Sequence, residues 1–325
     1  MTSQPAHIAT ASGTLWGLSG VVAFSFTVIF TRIAVDELDP LFVGAARAVV
    51  AAAIAGAVLV ATRQRLPSGA QWARLAIVAG GVVVGFPLLT SYALTTAPAS
   101  HGAIVIALLP AATAIAAVLR LRERPGVVFW IAAAVGAVAA AVFASLGNGG
   151  FGTIRPSDVL LLAAVAAAAI GYAEGGVLSR ELGAWQTISW ALVVVSPLTI
   201  CLTAASATID PPHAGASSWL ALAYLAIVSM FLGFIAWYRG LAIGPMTQVS
   251  QLQLVQPVLT LAWAAVILGE PLSLPTVLGG VTVIACAAVA VRARQRPLRA
   301  QVAGAGRDGR PLRHTRSGRP VAARE

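Results

Sequence analysis

Residues 238–271, YRGLAIGPMTQVSQLQLVQPVLTLAWAAVILGEP, carry the pattern of prolines and glutamate that decides the fold. A related stretch occurs earlier, at 92–125, as YALTTAPASHGAIVIALLPAATAIAAVLRLRERP. Three landmarks recur at a constant spacing of 147 residues: Pro98 with Pro245, Pro110 with Pro257, and Glu123 with Glu270. Constant spacing in so apolar a chain indicates an internal duplication. We place one unit at 14–146 and the other at 157–291.

The composition predicts a membrane protein. Of the 325 residues, 58% are hydrophobic and 10% are charged, whereas about a quarter of a soluble domain is charged. A bilayer crossing needs about 20 apolar residues, and each crossing should be a helix because unpaired backbone groups are costly in hydrocarbon. Ten runs qualify and are numbered here as spans 1 to 10: 14–35, 41–62, 72–92, 98–119, 126–146, 157–178, 186–207, 217–238, 246–268 and 273–291.

The distribution of arginine predicts the orientation. The chain contains no lysine, and ten of its arginines lie between Arg292 and Arg324. The positive-inside rule places this 292–325 tail in the cytoplasm, as a disordered segment or as one held to anionic lipid. Ten crossings then place residues 1–13 there too, in the cell (plasma or inner) membrane. Five crossings per unit is an odd number, so the two units should be inverted relative to each other.

Several motifs make the chain similar to the EamA-type family of the drug/metabolite transporter superfamily. They cover about 14–291 and comprise Trp16-Gly17, Asp39-Pro40, Arg47, Arg122-Glu123-Arg124 and Gly269-Glu270-Pro271, together with the twofold Tyr…Leu…Pro…Pro…Glu pattern. The resemblance implies an all-α polytopic fold of ten transmembrane helices in two inverted five-helix repeats. It also implies a central cavity and a secondary transporter that exports amino acids or related small polar metabolites, driven by protons or a solute gradient.

Glu174 is the most informative ionisable residue within a predicted span. A charged side chain inside a membrane helix costs about 3 kcal/mol, so it usually faces protein or water and has a role. One interpretation is a cavity carboxylate that exchanges a proton or binds a substrate amine. The alternative is a glutamate that snorkels at the cytoplasmic end, near Arg180. The neighbouring Gly171 and Gly175 favour close helix packing.

Arg47 is a second charged residue inside a span, about 9 Å below the outer boundary of span 2 on helix rise. It could bind a substrate carboxylate, or it could snorkel and cap backbone carbonyls. We predict that Arg47 and Glu174 do not pair, because they differ by roughly 15 Å in depth. A histidine in span 4, His101, is expected to be hydrated at the interface or, less simply, to relay protons.

Span 9 carries polar side chains on one helical face. Gln253, Gln256 and Trp263 fall on that face, and they either line a polar route or hold helices together. Pro257 and Pro110 should kink spans 9 and 4, because proline cannot donate to the carbonyl four residues back. The predicted cavity residues are Arg47, Tyr92, Tyr172, Glu174, Tyr238, Gln253, Gln256 and Trp263.

Other functional classes fit the residues less well. A chain without lysine cannot form a Walker motif, and no cluster has metal-ligand spacing or a nucleophile motif. We therefore expect no enzyme activity, no cofactor, no metal and no nucleic-acid partner. The expected partners are a small polar metabolite and the lipid bilayer, with a monomer or homodimer as the assembly. A membrane sensor or scaffold acting through the basic tail stays open, as does an importer or drug-efflux carrier of the same fold.

Overall fold

The computed structural model describes residues 6–121, 126–147, 155–243 and 252–307. Every regular element in those ranges is helical, which satisfies the backbone without water. Seven helices are long and apolar enough to cross a membrane, and they correspond to spans 1–4 and 6–8. Three shorter apolar helices correspond to spans 5, 9 and 10. The chain is thus an all-α polytopic membrane protein, and the count of ten crossings stays a prediction.

Several spans are divided into more than one segment. The divided spans are span 1, with Ala6–Ser25 and Thr27–Ala34; span 3, with Gly69–Val78, the π-helical Ala79–Gly85 and Phe86–Ala93; and span 4, with Ala99–Ile106 and Leu109–Leu121. Span 8 consists of Ala216–Tyr224, the π-helical Leu225–Leu232 and Gly233–Ile243, and span 9 of the 3-10 turn Gln253–Val255 and Gln256–Leu268. The single helices are Pro40–Ala61 in span 2, Val127–Gly147 in span 5, Pro156–Leu182 in span 6, Ala184–Ile209 in span 7 and Leu274–Arg307 in span 10. Some sequence landmarks lie outside the described residues: Arg122, Glu123, Arg124, Pro245, Gln248 and Gln251.

Local sequence signals set several helix ends. Asp39 precedes Pro40 at the start of span 2, and its side chain accepts a hydrogen bond from the Phe42 backbone N–H at 3.0 Å. This is a standard N-cap. Span 9 ends at Gly269, whose φ of 66° is left-handed, a conformation that glycine adopts without steric cost. Glu270 is therefore held in the short loop directly after span 9.

The tail that was expected to be disordered from residue 292 is helical as far as Arg307. Residues 292–307 include four alanines and five arginines, and both residue types have good helix propensity. The helix of span 10 can therefore continue past the apolar run instead of ending at 291. Residues 308–325 lie outside the described part of the chain.

The spans pack in pairs that join the two halves of the chain. Span 1 packs on span 8 and span 3 on span 6, while spans 2 and 7, 4 and 9, and 5 and 10 also pair; the larger contact of span 4 is with span 6. Equivalent spans of the two halves differ in number by five. When each span is replaced by its equivalent, the pair of spans 1 and 8 becomes the pair of spans 6 and 3, and the pairs 2 and 7, 4 and 9, and 5 and 10 are unchanged. This pattern is the one expected for two five-helix units related by a pseudo-twofold axis.

Each half also contains a π-helical segment, and the two segments occupy equivalent positions. Residues 79–85 in span 3 and 225–232 in span 8 are π-helical. Adding 147 to the first range gives 226–232, so the repeat spacing seen in the sequence also relates these two backbone features. Such segments are frequent at functional sites, and both lie beside the centre of the bundle.

Small residues allow close helix contacts between the halves. A Cβ built on Gly81 of span 3 would lie 2.9 Å from the backbone N and Cα of Gly171 in span 6. Gly175, one turn further along span 6, faces the phenol ring of Tyr238 in span 8. Gly171 and Gly175 therefore both pack against neighbouring helices, as the small-residue spacing predicts.

Candidate functional site

Three spans are interrupted near the middle of the bundle. Span 1 breaks at Phe26, between the helices ending at Ser25 and beginning at Thr27. Span 4 breaks at 107–108, just before Pro110, and span 9 has its 3-10 turn just before Pro257. Interrupted helices near the midplane commonly form substrate sites in transporters, since their free backbone groups can bind a solute. Both proline-associated breaks lie where the sequence predicts kinks.

Two cavities lie at these interruptions. The first is lined by Val28, Ala103, Ile106, Leu109, Pro110, Gln253, Gln256, Pro257 and Thr260. The second is lined by Phe24, Thr27, Val28, Arg47, Val82, Phe86, Leu109, Ala168, Tyr172, Ser229, Met230, Phe234 and Gln256. Their space for water-sized spheres is about 10 and 20 Å³, roughly the space that one water molecule needs. This conformation must therefore widen to hold a metabolite.

Among the described residues that line either cavity, Arg47 is the one with a charged side chain. It is 2% exposed, and its Nε and Nη1 have no hydrogen-bond partner among the described residues. Buried polar groups are nearly always hydrogen-bonded, and an unpaired buried charge is costly. The Arg47–Glu174 pair that we predicted to be absent is indeed not formed. A guanidinium with two free donors is suited to bind an anionic group such as a carboxylate.

Two glutamines of span 9 add neutral polar groups to the cavities, and one of them shares the second cavity with Arg47. Gln253 and Gln256 are buried, and Nε2 of Gln253 and Oε1 of Gln256 lack partners among the described residues. Gln256 lines both cavities, whereas Gln253 lines the first. The second cavity thus combines a cation, an amide acceptor and apolar walls, with Tyr172 among its aromatic residues. These groups match a small solute that has a carboxylate, a donor and an apolar part.

The hydroxyl pair of Thr27 and Ser229 lines the second cavity but was not predicted from the sequence. Their Oγ1 and Oγ atoms are 2.8 Å apart, and both residues are buried. Nothing in the sequence marks the break in span 1 that places Thr27 there, because no proline or glycine occurs at Phe26. The repeat spacing relates Ser229 to Val82, another lining residue, and this spacing is the signal that could have identified it.

The remaining predicted aromatic residues lie outside the cavity linings. Trp263 stacks on Phe26 at 4.6 Å between ring centroids, and its Nε1 donates to Ser25 Oγ at 3.0 Å. Tyr238 is fully buried, with its ring against Gly175. Tyr92 is 43% exposed, because it lies in the last turn of span 3. Trp263 therefore stabilises the break in span 1, and Tyr92 is separated from the cavities.

Glu174 is held in an ion-pair network at one end of the bundle instead of lining a cavity. It is 3% exposed and pairs with Arg74 of span 3 and Arg120 of span 4. Arg120 Nε donates to Glu174 Oε2 at 2.6 Å. Arg74 also donates to both oxygens of Glu181. The nearby Arg180 suggested a local partner, but the folded chain supplies arginines from two other helices. We call this the arginine end.

The opposite end of the bundle, here the carboxylate end, carries buried acidic contacts. His101 is 9% exposed and its Nε2 lies 2.6 Å from Oδ1 of Asp158, which is 2% exposed. This histidine is thus in the protein interior and not hydrated at an interface. Glu270 accepts hydrogen bonds from the backbone N–H groups of Ala99 and Ser100 at 2.7 and 2.8 Å. These contacts join span 4 to the second half of the chain.

A surface pocket of about 340 Å³ opens at the carboxylate end. It is lined by Arg32, Ile33, Asp36, Glu37, Ser217, Ser218, Leu268 and Glu270. Glu37 accepts hydrogen bonds from Ser218 Oγ at 2.7 Å and from the Gly215 backbone N–H at 2.8 Å. These bonds, that of Ser218 first, hold the pKa of Glu37 below its ordinary value. This pocket is of a size that can admit a small metabolite.

A single family model matches both halves of the chain. The model describes the EamA-like transporter family, and it aligns with residues 11–145 and again with 155–292. The chain belongs to the EamA-like transporter family. The two matched ranges have nearly the same bounds as the units predicted from the proline and glutamate spacing. The family match supports a membrane transporter.

Two known proteins are similar to this EamA-like transporter. "Uncharacterized transporter YdeK" from Bacillus subtilis (strain 168) is 44% identical over 283 residues, which cover 87% of this chain and 98% of that protein. A solved crystal structure of a protein matches with a TM-score of 0.61 at 22% sequence identity, covering 89% of this chain and 99% of that one. The first similarity supports a transporter, and the second concerns the fold alone.

Proposed function

We propose that this EamA-like protein is a secondary transporter that exports amino acids or related small polar metabolites by alternating access. The observation that carries the proposal is Arg47, a buried guanidinium with two free donors in a cavity between the two halves. In this proposal Arg47 binds the cargo carboxylate. Gln256 accepts a hydrogen bond from the cargo, Gln253 donates one to it, and Tyr172 contacts the apolar part of the cargo.

The two halves move as inverted five-helix repeats around this site. The packing of span 1 on span 8 and of span 3 on span 6 supports a pseudo-twofold relation. Glu270 follows span 9 and contacts the first residues of span 4, which supports an antiparallel course of these equivalent helices. An antiparallel course of equivalent helices is what inversion requires.

The arginine end faces the cytoplasm in this proposal, and the carboxylate end faces outward. Arg63, Arg65, Arg74 and Arg120 lie at the first end, whereas Asp36, Glu37 and Asp158 lie at the second. The positive-inside rule favours this orientation in the cell inner membrane, with both termini cytoplasmic. Protons or the cargo gradient supply the driving force, and Glu174 contributes to the motion through its ion pairs instead of binding cargo.

Transport is tested with purified protein in liposomes. Exchange of a radiolabelled amino acid panel should occur with the parent chain, and the amidated analogue of the best substrate should fail to compete. Arg47→Ala should reduce exchange about 100-fold, because truncating one partner of a buried charge pair costs 2–5 kcal/mol. Arg65→Ala is the matched control, since Arg65 is exposed, and it should exchange normally.

Two results would contradict the proposed function. One is a parent protein without exchange of any member of the panel, and the other is equal exchange by Arg47→Ala and the parent. The direction of transport has its own test. Cells that overproduce the protein should tolerate higher concentrations of the exported compound, while importer activity would make them more sensitive.

A further inference from the structure

Span 4 is held at both of its ends by carboxylates from the other half of the chain. Glu270 and Asp158 contact its first residues, and Glu174 contacts Arg120 in its last turn. These two regions are about 30 Å apart along the helix on the rise of about 1.5 Å per residue. The contacts are thus independent of each other, and each lies where one end of a central route would close.

The contact at the carboxylate end combines backbone and side-chain bonds. Both oxygens of Glu270 accept from the backbone N–H groups of Ala99 and Ser100. The positive end of the helix dipole adds to this attraction. At the next residue along the helix, His101 forms its buried contact with Asp158. Charged acceptors make hydrogen bonds about twice as strong as neutral ones, so the start of span 4 is firmly fixed to spans 6 and 9.

The contact at the arginine end is built from side chains alone. Glu174 in span 6 accepts from Arg120 in span 4 and from Arg74 in span 3. Arg120 is about half exposed, whereas Glu174 is buried. Water can therefore reach one member of the pair, and the guanidinium can separate from the carboxylate without becoming buried alone.

Between these ends, span 4 has a weak point beside the cavities. Its helix is interrupted at 107–108, and the residues on either side, Ile106 and Leu109, line the first cavity. Pro110 also removes one backbone donor there. A helix with a break at its middle can tilt one half while the other half stays in place.

We propose that Glu270 and Glu174 are positioning residues that hold span 4 closed at the carboxylate end and at the arginine end, respectively. Release of Glu270 lets 99–106 move away from spans 6 and 9 and opens the central cavity toward the carboxylate end. Release of Arg120 from Glu174 lets 109–121 move and opens the cavity toward the arginine end. The break at 107–108 allows the two movements to alternate. The inference rests on the proposed function, because alternation is useful only to a transporter.

The test measures from which face a cysteine in the cavity can be labelled. The two native cysteines, both free, are replaced by Cys201→Ser and Cys286→Ser, and Ser229→Cys places one thiol in the second cavity. A membrane-impermeant maleimide is then added to vesicles of each orientation. Glu270→Gln should raise the labelling rate from the carboxylate end about tenfold, as expected for the loss of one charge-assisted hydrogen bond. Glu174→Gln should raise it from the arginine end by a similar factor.

Two further variants make the outcome decisive. Arg120→Gln breaks the same contact but leaves Glu174 paired with Arg74, so it replaces Glu174→Gln if that variant fails to fold. Glu37→Gln is the matched control at the carboxylate end, since Glu37 joins the halves through Ser218 without touching span 4. Glu37→Gln should leave labelling unchanged.

The inference is overturned if Glu270→Gln and Arg120→Gln raise labelling from the same face, if neither changes it, or if Glu37→Gln matches Glu270→Gln. Labelling needs no cargo, so the result is separable from the proposed function. Opposite labelling shifts without any exchange in liposomes would support the two positioning residues and reject the transport proposal. Exchange in liposomes together with unchanged labelling would support the transport proposal and reject the two positioning residues.

Discussion

The two copies of the five-helix unit contribute different chemistry to the same cavities. Three lining residues of the first copy, Val82, Ile106 and Leu109, are apolar. Their equivalents, 147 residues later, are polar and also line the cavities: Ser229, Gln253 and Gln256. The backbone features around them are shared, including the π-helical segments and the breaks before Pro110 and Pro257. The two copies thus share a backbone frame and differ in the polarity of these three lining positions.

The largest expected effect concerns the frame, at a position where the copies differ. Gly81 touches the backbone of span 6, whereas the second copy has Val228 at the equivalent position. Gly81→Ala should lower the stability by about 1–3 kcal/mol, because the added methyl group overpacks a contact with backbone that cannot move aside. Thermal unfolding in detergent measures this loss. Gly80→Ala is the control, since that glycine has open space around it, and an equal loss in both variants would contradict the prediction.

An intermediate effect is expected when one polar lining residue is made like its apolar counterpart. Gln256→Leu copies the residue found at Leu109. It should reduce exchange in liposomes about tenfold, because the cargo loses a hydrogen bond, while the melting temperature stays equal or rises because a buried unpaired oxygen is removed. Leu109→Gln is the reciprocal variant. If position 256 itself contacts the cargo, adding Leu109→Gln to Gln256→Leu should not restore exchange. Normal exchange by Gln256→Leu would show that the polar wall is not used.

The smallest effect concerns the loop after span 1, where the first copy has Glu37 and the second has Ala184. Because the pKa of Glu37 is lowered in the folded protein, its hydrogen bonds stabilise the fold above the ordinary glutamate pKa. This contribution is lost as the pH falls through the lowered pKa. Glu37→Gln should therefore have a slightly lower melting temperature than the parent at neutral pH, and this difference should disappear in acid. Ser218→Ala removes the same bond and should behave alike, whereas a difference that grows in acid would contradict the assignment.

The spans were predictable because hydrocarbon imposes a length and a composition on every crossing helix. The described helices of spans 2, 6 and 7 begin and end within a few residues of the predicted runs. The breaks in spans 4 and 9 were predictable from Pro110 and Pro257. The break in span 1 was not, since Ser25 is held by Thr260 and Trp263 of span 9. Such a contact depends on which helices meet, and a linear pattern does not record that.

The same reason explains the residues that lie elsewhere than predicted. Glu174 has an arginine six residues away in the sequence, yet its partners come from spans 3 and 4. His101 was expected to be hydrated at the membrane interface, but it is buried and its Nε2 contacts Asp158. In contrast, Arg47 and Gln256 do lie in the cavity linings, as the cost of a polar side chain in an apolar run suggests; that they contact the cargo stays a prediction. The sequence therefore indicated that Arg47, Glu174 and Gln256 face inward, but not which side chains they meet.

The matching π-helical segments at 79–85 and 225–232 also bear on the history of the chain. A π-helical turn holds one more residue than an α-helical turn, so it originates when a residue is inserted into a helix. Finding this feature at the same place in both units is most simply explained by a single insertion in an ancestor that had five helices. On that account the insertion is older than the doubling of the gene, and the exchange of Val82 for Ser229 is younger than both. The ancestral half-length protein would then have needed to assemble with a second copy before the two genes were joined.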